Sequence, residues 1–170
     1  MVKKILLYIR SGFLNLKYFH SISKRVVFGR NVNIEGNVCF AERIILDDNV
    51  EVRNRTKEQS YIASDVSINR NTVIRGKFSI GEHVSIAPNC MIIGANHRFS
   101  VVTKLIKEQG VETKGIIIES DVWIGANCCV LDGVTIGKGS VIGAGSIVTK
   151  SIPSMSIAVG NPCRVIKQRT

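Results

Sequence analysis

Residues 118–148 read IESDVWIGANCCVLDGVTIGKGSVIGAGSIV, and a branched aliphatic side chain recurs in them at every sixth position. The same series runs through most of the chain and is interrupted twice. Its seventeen members are Phe28, Ile34, Phe40, Leu46, Val52, Ile62, Ile68, Ile74, Ile80, Ile86, Ile92, Ile118, Ile124, Val130, Ile136, Ile142 and Val148. Small or apolar residues also occupy the positions four residues later. A period of six matches neither the 3.6 residues of an α-helix nor the two of a simple strand.

Such a period indicates short extended segments that alternate with turns. One hexapeptide cannot bury its own aliphatic side chain, whereas stacked coils bury a continuous ladder of them. We therefore predict an all-β solenoid, a parallel β-helix built from hexapeptide repeats. A β-sandwich with irregular alternation is the less favoured alternative.

Two segments interrupt the series and shift its register. Residues 53–61 are polar, and residues 94–117 form a longer excursion of 24 residues. A long loop that leaves a regular solenoid is typical of a functional element or of a disordered segment. We predict a loop over 94–117 that leaves the β-helix.

The net charge of +10 is unevenly distributed over the 170 residues. Residues 1–25 contain six Lys and Arg and no acidic residue, and they are also apolar. We expect one or two short helices there, either as a cap on the solenoid or as a basic amphipathic segment on an anionic membrane surface. The solenoid domain then covers 26–170, including a C-terminal tail at 154–170. No recognition helix, zinc finger or aromatic–basic pattern supports nucleic-acid binding.

Cysteine usage and hydropathy exclude several further classes. The five cysteines are odd in number and lack CxxC spacing, which argues against a disulfide framework or a structural zinc site and favours a reducing cytoplasm. No apolar stretch approaches the roughly 20 residues that a transmembrane helix needs.

Only three histidines occur in the chain, namely His20, His83 and His97. His97 lies where the long loop begins, at the rim of the predicted solenoid, where an imidazole could take a proton from a hydroxyl or an amine. His83 falls at a turn position of its hexad and is expected on the surface. His20 belongs to the N-terminal segment and is uninformative.

In two segments the chain resembles the hexapeptide-repeat acetyltransferases. Residues 115–167 read GIIIESDVWIGANCCVLDGVTIGKGSVIGAGSIVTKSIPSMSIAVGNPCRVIK, and the loop contains Asn96-His97-Arg98-Phe99. The loop histidine together with DVWIG, VIGAGS, VTK and AVGNP is most similar to maltose and galactoside O-acetyltransferases and to capsule or lipopolysaccharide O-acetyltransferases. The resemblance covers residues 60–170 well and 26–60 only through the hexads.

This resemblance implies a left-handed β-helix with three hexads per coil, here about five coils. It implies a homotrimer with active sites between subunits and acetyl-CoA as the co-substrate, without a metal. The expected reaction is O-acetylation of a sugar or surface glycan in polysaccharide biosynthesis. The expected location is the cytoplasm, with peripheral contact at the inner face of the membrane through residues 1–25.

Site residues follow from the same resemblance, position by position. His97 matches the general base, which deprotonates the acceptor for direct attack on the thioester without an acyl-enzyme. The positions that match the coenzyme A site are Trp123, Ala126, Ala144, Thr149, Lys150, Arg164 and Lys167. The chemistry of coenzyme A also favours basic residues at its site, apart from the resemblance, because the coenzyme carries several phosphates.

The acceptor side is less determined by the resemblance. The predicted strip consists of Ser67, Asn69, Asn71 and Arg75. Serine at position 67 replaces an asparagine of the galactoside enzymes, and the basic N-terminal segment replaces the acidic region of the maltose enzymes. We therefore expect a polysaccharide or a nucleotide-sugar-lipid acceptor rather than a free disaccharide. Pro88-Asn89 matches a turn of the family.

Two alternatives stay open at this point. The same fold could act on an amine or a serine hydroxyl, or transfer another acyl group. A protein of another class, either a non-catalytic β-helix or a metal-dependent relative of the γ-carbonic anhydrases, is disfavoured. The latter needs three histidines around one zinc ion, and His20 and His83 are not placed to join His97.

Overall fold

Backbone pairing in the structure, a computed structural model, arranges the chain as a parallel β-solenoid. The structure describes residues 8–9, 15–17, 21–22 and 25–170. Three sheets form the sides of a prism, and the chain passes from the first sheet to the second and then to the third in each coil. The predicted all-β fold, a left-handed parallel β-helix, is confirmed.

The first sheet contains nine strands among the described residues. In spatial order they are β1 (Tyr8–Ile9), β4 (Val26–Phe28), β7 (Ile44–Leu46), β10 (Ser67–Ile68), β13 (Ser85–Ile86), β18 (Trp123–Ile124), β21 (Val141–Ile142), β23 (Ser156–Val159) and β24 (Arg164–Gln168). Neighbouring strands are parallel except that β24 runs antiparallel to β23. This terminal hairpin continues the sheet beyond the last parallel strand and pairs its edge.

The other two sheets complete each coil. The second sheet consists of β2 (Asn15–Lys17), β5 (Asn33–Gly36), β8 (Glu51–Asn54), β11 (Val73–Gly76), β14 (Met91–Gly94), β19 (Cys129–Leu131) and β22 (Ile147–Val148). The third consists of β3 (Ser21–Ile22), β6 (Val38–Phe40), β9 (Ser60–Ile62), β12 (Phe78–Ile80), β17 (Ile116–Ile118) and β20 (Thr135–Ile136). In the last coil Ile152 forms a bridge to Ile136 and takes the place of a strand.

In the described part of the chain, the elements outside the three sheets are short. The long loop contains a two-stranded hairpin of β15 (Asn96–His97) and β16 (Val111–Glu112), and a single 3₁₀ turn at Ile106–Glu108. Within the described residues, no helix has the length and hydropathy required to cross a membrane.

The described residues form seven coils, whereas the sequence predicted about five. The aliphatic series from residue 28 onward forms six coils, because both interruptions lie at an edge of the prism and remove no side of it. The seventh coil is formed by β1, β2 and β3, which pair in parallel with β4, β5 and β6.

The N-terminal strands correct the expectation of short helices in residues 1–25. The physical reason is visible in the spacing, because Leu16 and Ile22 continue the six-residue series backward from Phe28. Pairing with the open end of the next coil satisfies the backbone groups that a short helix would leave unpaired at its ends. Contact of this segment with a membrane concerns side chains outside the described part of the chain and stays a prediction.

Buried aliphatic ladders fill the prism. All seventeen members of the six-residue series expose at most 2% of their surface. Outside the two interruptions the positions four residues later are buried as well, and they include the polar residues Thr72, Ser140 and Ser146. At the interruptions Thr56 is half-buried and Asn96 is exposed. Register pairs such as Ile68 with Ile86 and Ile86 with Ile124 place like side chains on each other in successive coils. The inward direction predicted for these residues is confirmed.

An asparagine ladder stabilises one edge of the prism. Asn31, Asn49, Asn71 and Asn89 have φ angles of 55°, 61°, 59° and 61°. Asparagine tolerates this left-handed conformation better than most residues. Each side-chain amide in the ladder donates to the oxygen of the next, at 3.1, 3.0 and 3.1 Å. The predicted turn at Pro88-Asn89 is thereby confirmed.

We predict that Ile86→Ala lowers the free energy of unfolding by about 2–5 kcal/mol, because it leaves a cavity between two coils that cannot collapse. Ile86→Val should cost only about 0.5–1.5 kcal/mol. Urea unfolding at one fixed protein concentration measures both values. Equal effects of the two variants would contradict a tightly packed ladder.

Candidate functional site

His97 is carried by a loop that leaves the edge between the second and third sheets. β14 ends at Gly94, and the third sheet resumes with β17 at Ile116, so the loop predicted over 94–117 is confirmed. Within the loop His97 lies opposite Val111 in an antiparallel hairpin. The His97 side chain is exposed in the single chain, so a substrate can reach its imidazole.

The base of this loop is fixed by one carboxylate. Asp132, in the next coil, accepts hydrogen bonds from the backbone N–H groups of Lys114, at 2.9 and 3.1 Å, and of Gly115, at 2.7 Å. Hydrogen bonds to an ionised acceptor are stronger than neutral ones. Asp132 therefore holds the point at which the loop rejoins the solenoid.

The outer part of the loop is fixed by one amide side chain. Gln109 accepts a hydrogen bond from the Val101 N–H through Oε1 at 3.0 Å. Its Nε2 donates to the carbonyl oxygens of Val101 and Lys104, both at 3.0 Å. With anchors at base and tip, the loop has a defined shape and can hold a histidine in one position.

A second polar region surrounds Trp123 on the outer face of the first sheet. Trp123 lies between Ser85 and Val141 in register, and 56% of its surface is exposed. A cavity of about 520 Å³ opens here, which we call the first-sheet cavity. Its lining consists of His83, Ser85, Asp121, Val122, Trp123, Val141 and Arg169. An exposed aromatic face beside charged and hydroxyl groups can bind both apolar and polar parts of a ligand.

Charged groups of both signs border the first-sheet cavity. Arg169 donates from Nη1 to Asp121 Oδ2 and to the Gly139 carbonyl oxygen, both at 3.0 Å. His83 Nδ1 lies 3.8 Å from Asp65 Oδ2. The hydrogen bonds from Arg43 keep the pKa of Asp65 below its ordinary value, so this carboxylate stays ionised.

One chain does not bring His97 and Trp123 together. His97 follows a strand of the second sheet and lies at the edge where the third sheet begins. Trp123 points outward from the first sheet, on the opposite side of the prism. A site that uses both residues therefore requires two copies of the chain.

The predicted coenzyme A residues of the solenoid lie at two edges. Ala126 and Ala144 follow first-sheet strands in successive coils, and the Ala126 carbonyl oxygen accepts from the Gly145 N–H at 2.8 Å. Thr149 and Lys150 are exposed and follow a second-sheet strand, at the same edge as His97 and two coils further along. Both edges border the second sheet.

The two basic residues of the tail lie on the terminal hairpin. Arg164 and Lys167 belong to β24, where they pair with Val159 and Ile157 respectively, and both are exposed. Arg164 Nη1 donates to the Cys163 carbonyl oxygen at 2.8 Å. The hairpin thus places two cations at the C-terminal end of the prism. Lys150 lies in the last coil, at the same end.

The four predicted acceptor residues are not brought together. Ser67 lies on the first sheet with its Oγ 3.3 Å from Ser85 Oγ, beside the first-sheet cavity. Asn69 donates to the Ile86 carbonyl oxygen at 2.9 Å, and Asn71 belongs to the asparagine ladder. Arg75 faces outward from the second sheet and pairs with Glu51 at 2.7 Å. Of the four, only Ser67 is close to Trp123.

Sequence reasoning missed the other polar residues of the first-sheet cavity. Ser85 and His83 approach Trp123 because coils stack in register across 38 residues, with the long loop in between. Asp121 lies two residues before Trp123 in the same coil. Aligning the hexads coil by coil would have placed Ser85 beside Trp123. His83 is exposed as predicted, and it lines this cavity.

The histidines do not converge on one point in the described part of the chain. His83 follows the third sheet and His97 the second, so they lie at different edges, and His20 lies outside the described residues. Among the described residues, no three His, Cys, Asp or Glu side chains are grouped as metal ligands would be.

Comparisons with known proteins agree with this architecture. Residues 115–150 match the family "Bacterial transferase hexapeptide (six repeats)". A probable acetyltransferase of Mycobacterium tuberculosis is 34% identical over 158 residues, which are 88% of this chain and 52% of the relative. The chain spans about half the length of the curated relatives it matches.

Two solved structures are similar over most of the chain. A maltose O-acetyltransferase from Clostridium difficile is 31% identical with a TM-score of 0.55, over 88% of this chain and 70% of that one. The N-acyltransferase AntD from Bacillus cereus, in complex with dTDP-4-amino-4,6-dideoxyglucose and coenzyme A, is 26% identical with a TM-score of 0.76, over 86% and 82%. The three parallel sheets and the hexapeptide series define a hexapeptide-repeat protein. The chain belongs to the bacterial hexapeptide transferase family.

We predict that Asp132→Ala accelerates cleavage of the loop by trypsin about tenfold, because loss of a charged acceptor for two N–H groups favours local opening. Arg98, Lys104 and Lys107 offer cleavage sites there. Asp132→Asn retains an acceptor oxygen and should show a smaller increase. Limited proteolysis followed by mass spectrometry measures the rates, and a wild-type rate in Asp132→Ala would show that the anchor is dispensable.

Proposed function

We propose that this protein transfers an acetyl group from acetyl-CoA to a hydroxyl group of a sugar or surface glycan. The observation that carries this proposal is the exposed His97 on a loop anchored at its base and tip, at an edge that also bears Lys150. Membership of the hexapeptide transferase family supports it, as does the similarity to a maltose O-acetyltransferase.

In the proposed mechanism His97 acts as general base. Its neutral imidazole takes the proton of the acceptor hydroxyl while that oxygen attacks the thioester carbonyl of acetyl-CoA. The carbon–sulfur bond breaks as the new carbon–oxygen bond forms, and the coenzyme A sulfur leaves as a thiolate. The imidazolium returns the proton to this thiolate, so the enzyme is unchanged after one turnover and no acyl-enzyme is needed.

We further propose that three copies assemble with their second sheets toward a common axis. The outer face of that sheet presents Met91, Ile93 and Leu131 in adjacent register positions, an apolar surface that a partner would cover. A closed ring of three copies brings the His97 edge of one copy against the Trp123 side of the next. The separation of His97 and Trp123 within one chain supports this arrangement.

The same arrangement suits an extended coenzyme. Ala126 and Ala144 of one copy, on an edge with short side chains, would face Thr149 and Lys150 of its neighbour. The pantetheine arm would lie between these edges, and the phosphates would meet Lys150 and the cations of the terminal hairpin. Lysine at position 167 contributes charge without the two-pronged hydrogen bonding of arginine.

An amine acceptor is a second candidate, which the similarity to AntD favours. AntD is an N-acyltransferase that was solved with an amino sugar linked to dTDP. The proton transfer that we assign to His97 is chemically the same for an amine. A panel of sugars and amino sugars with labelled acetyl-CoA distinguishes the two, because the stable product carries either an ester or an amide.

We predict that His97→Ala lowers turnover by about 10²–10⁴-fold, the range that a lost general base produces. Coenzyme A binding and oligomeric mass should stay unchanged, because the variant removes only the imidazole and leaves the Asp132 and Gln109 anchors of the loop intact. Steady-state kinetics with labelled acetyl-CoA measures the rate. Lys107→Ala, on the same loop, is the matched control and should retain wild-type turnover. A His97→Ala enzyme as fast as the wild type refutes the assignment.

We predict that Lys150→Ala raises KM for acetyl-CoA about tenfold with little change in kcat, because it removes one charge-assisted phosphate contact. The effect should shrink with dephospho-coenzyme A thioesters if Lys150 faces the ribose phosphate. Lys104→Ala, in the long loop and far from Lys150 along the chain, serves as the control. A loss confined to kcat would assign Lys150 a different role.

A further inference from the structure

A small cavity on the outer face of the third sheet lies at the foot of the His97 loop. Its volume is about 230 Å³, and we call it the third-sheet cavity. The polar and exposed residues of its lining are Gln59, Tyr61, Lys77, Ser79, Lys114 and Ile117. It is separate from the first-sheet cavity and shares no residue with it.

Two lysines of the cavity are built into the base of the loop. Lys77 lies between the two ends of the loop. The Lys77 N–H donates to the Gly94 carbonyl oxygen at 3.2 Å, and the Lys77 carbonyl oxygen accepts from the Ile116 N–H at 3.0 Å. A Cβ atom on Gly115 would lie 3.1 Å from the Lys77 side chain, so that chain passes directly over the glycine. The Lys77 ammonium forms an ion pair with Glu58.

Lys114 is positioned by the Asp132 anchor at its backbone N–H. Its side chain is 69% exposed, and its Nζ lies 4.0 Å from Glu112 Oε1. A pair at that distance and exposure contributes little, so the ammonium remains available to another anion. Glu112 pairs through its backbone with Asn96, the neighbour of His97, which connects this lysine to the catalytic hairpin.

The chemistry of the lining favours an anion. Two ammonium groups, the Gln59 amide, the Ser79 hydroxyl and the Tyr61 hydroxyl all can donate hydrogen bonds. Within the described chain, no aspartate or glutamate lines the third-sheet cavity, whereas Asp121 lines the first-sheet cavity. Lysine is a common point-charge ligand for phosphate.

An apolar wall accompanies the cations. Tyr61, Ser79 and Ile117 form one outward column of the third sheet, with Ser79 in the middle coil. The Tyr61 ring is 44% exposed and Ile117 is 48% exposed. Such a surface can bind the planar base of a nucleotide or the first isoprene units of a lipid. In activated sugars the isoprene chain is bonded directly to the diphosphate, and the nucleotide base follows the diphosphate after one ribose.

We propose that the third-sheet cavity binds the phosphate groups of an acceptor whose sugar is attached to a carrier through a diphosphate. The inference rests on the proposed function, since it concerns the acceptor of the same reaction. The phosphates would sit between Lys77 and Lys114, with the carrier against Tyr61, and the sugar would extend along the loop toward His97. A free, uncharged disaccharide would offer no phosphate to Lys114, whose only ion pair is the 4.0 Å contact with Glu112 among the described residues, or to Lys77 beside its partner Glu58.

The test is a binding measurement that needs no acetyl transfer. Isothermal titration calorimetry of the full-length protein, saturated with coenzyme A to occupy its own phosphate site, is carried out with uridine diphosphate, inorganic pyrophosphate and farnesyl diphosphate. Lys114→Ala and Lys77→Ala should each weaken binding of the preferred diphosphate about tenfold. Lys107→Ala, a cation of the same loop outside the cavity, should bind as the wild type does.

The three ligands identify the carrier. Tighter binding of uridine diphosphate than of pyrophosphate, lost in Tyr61→Ala, indicates a nucleotide-linked sugar. Tighter binding of farnesyl diphosphate indicates a lipid-linked sugar, and equal affinities indicate recognition of the phosphates alone. Retained coenzyme A binding shows that each variant is folded.

The proposal is overturned if no diphosphate binds to the coenzyme-saturated protein, or if neither lysine variant weakens binding. These results are independent of the proposed function. If acetyl transfer to sugars fails while diphosphates bind through the two lysines, the reaction is wrong and the cavity assignment stands. If acetyl transfer to free sugars proceeds and no diphosphate binds, the proposed function stands and the cavity assignment is wrong.

Discussion

Stacking of one inward aliphatic side chain on its counterpart in the next coil is the constraint on which the rest of this structure depends. Strands of successive coils lie about 4.8 Å apart, so an inward side chain must have a partner of similar size directly above and below it. The ladder through Ile68, Ile86 and Ile124 meets this requirement without a gap, although the last step spans the long loop. Because the ladder fixes the register of every coil, it also fixes which outward residues become neighbours. Ser67, Ser85 and Trp123 form one outer column for that reason, and no direct attraction between them is required.

The same constraint determines where the chain can acquire a function. An insertion within a side of the prism would displace the aliphatic ladder, whereas an insertion at an edge leaves the strands on either side in register. Both interruptions of the hexapeptide series occur at the edge between the second and third sheets. The first adds the polar turn that contains Glu58, and the second adds the loop that carries His97. Lys77 lies at that edge in the coil between them, and its backbone hydrogen bonds to both ends of the loop tie the insertion to the regular structure. The loop with the proposed catalytic histidine and the candidate phosphate site are therefore adjacent because both lie at the edge where this chain carries its insertions.

The sequence predicted the fold and the loop because both depend on a local period and on its interruption. It did not predict the N-terminal coil, because the two hexads marked by Leu16 and Ile22 are too few to stand out in a basic, apolar segment that also suits a helix.

The acceptor residues were harder to predict than the fold. Asn71 and Arg75 are polar residues close to Ser67 in the chain, but in a prism a shift of a few residues moves a side chain to another face or an edge. Asn71 therefore stacks in the asparagine ladder and Arg75 pairs with Glu51 on the second sheet. Ser85 and His83, which lie beside Trp123, come from another coil, so only the register reveals them. The residues of a site shared between two copies are harder still to predict from the sequence, because they depend on how whole faces of the two copies pack together.

The distribution of charge gives the two cavities different roles in such an assembly. The first-sheet cavity combines Asp121, His83 and Arg169 with the face of Trp123, a mixture that suits a neutral, hydroxyl-bearing sugar or the polar arm of a coenzyme. The third-sheet cavity combines two ammonium groups and neutral donors with an apolar wall, and Glu58, outside the lining, pairs with Lys77. This lining suits the phosphate groups of an acceptor. In the ring proposed above, the loop edge of one copy meets the first sheet of the next, so the two cavities would face each other across the reacting atoms. One copy would then hold the carrier end of the acceptor, and its neighbour would hold the sugar. An acceptor recognised in this way must be long enough to reach both walls, and a carrier-linked sugar meets this requirement better than a free monosaccharide does.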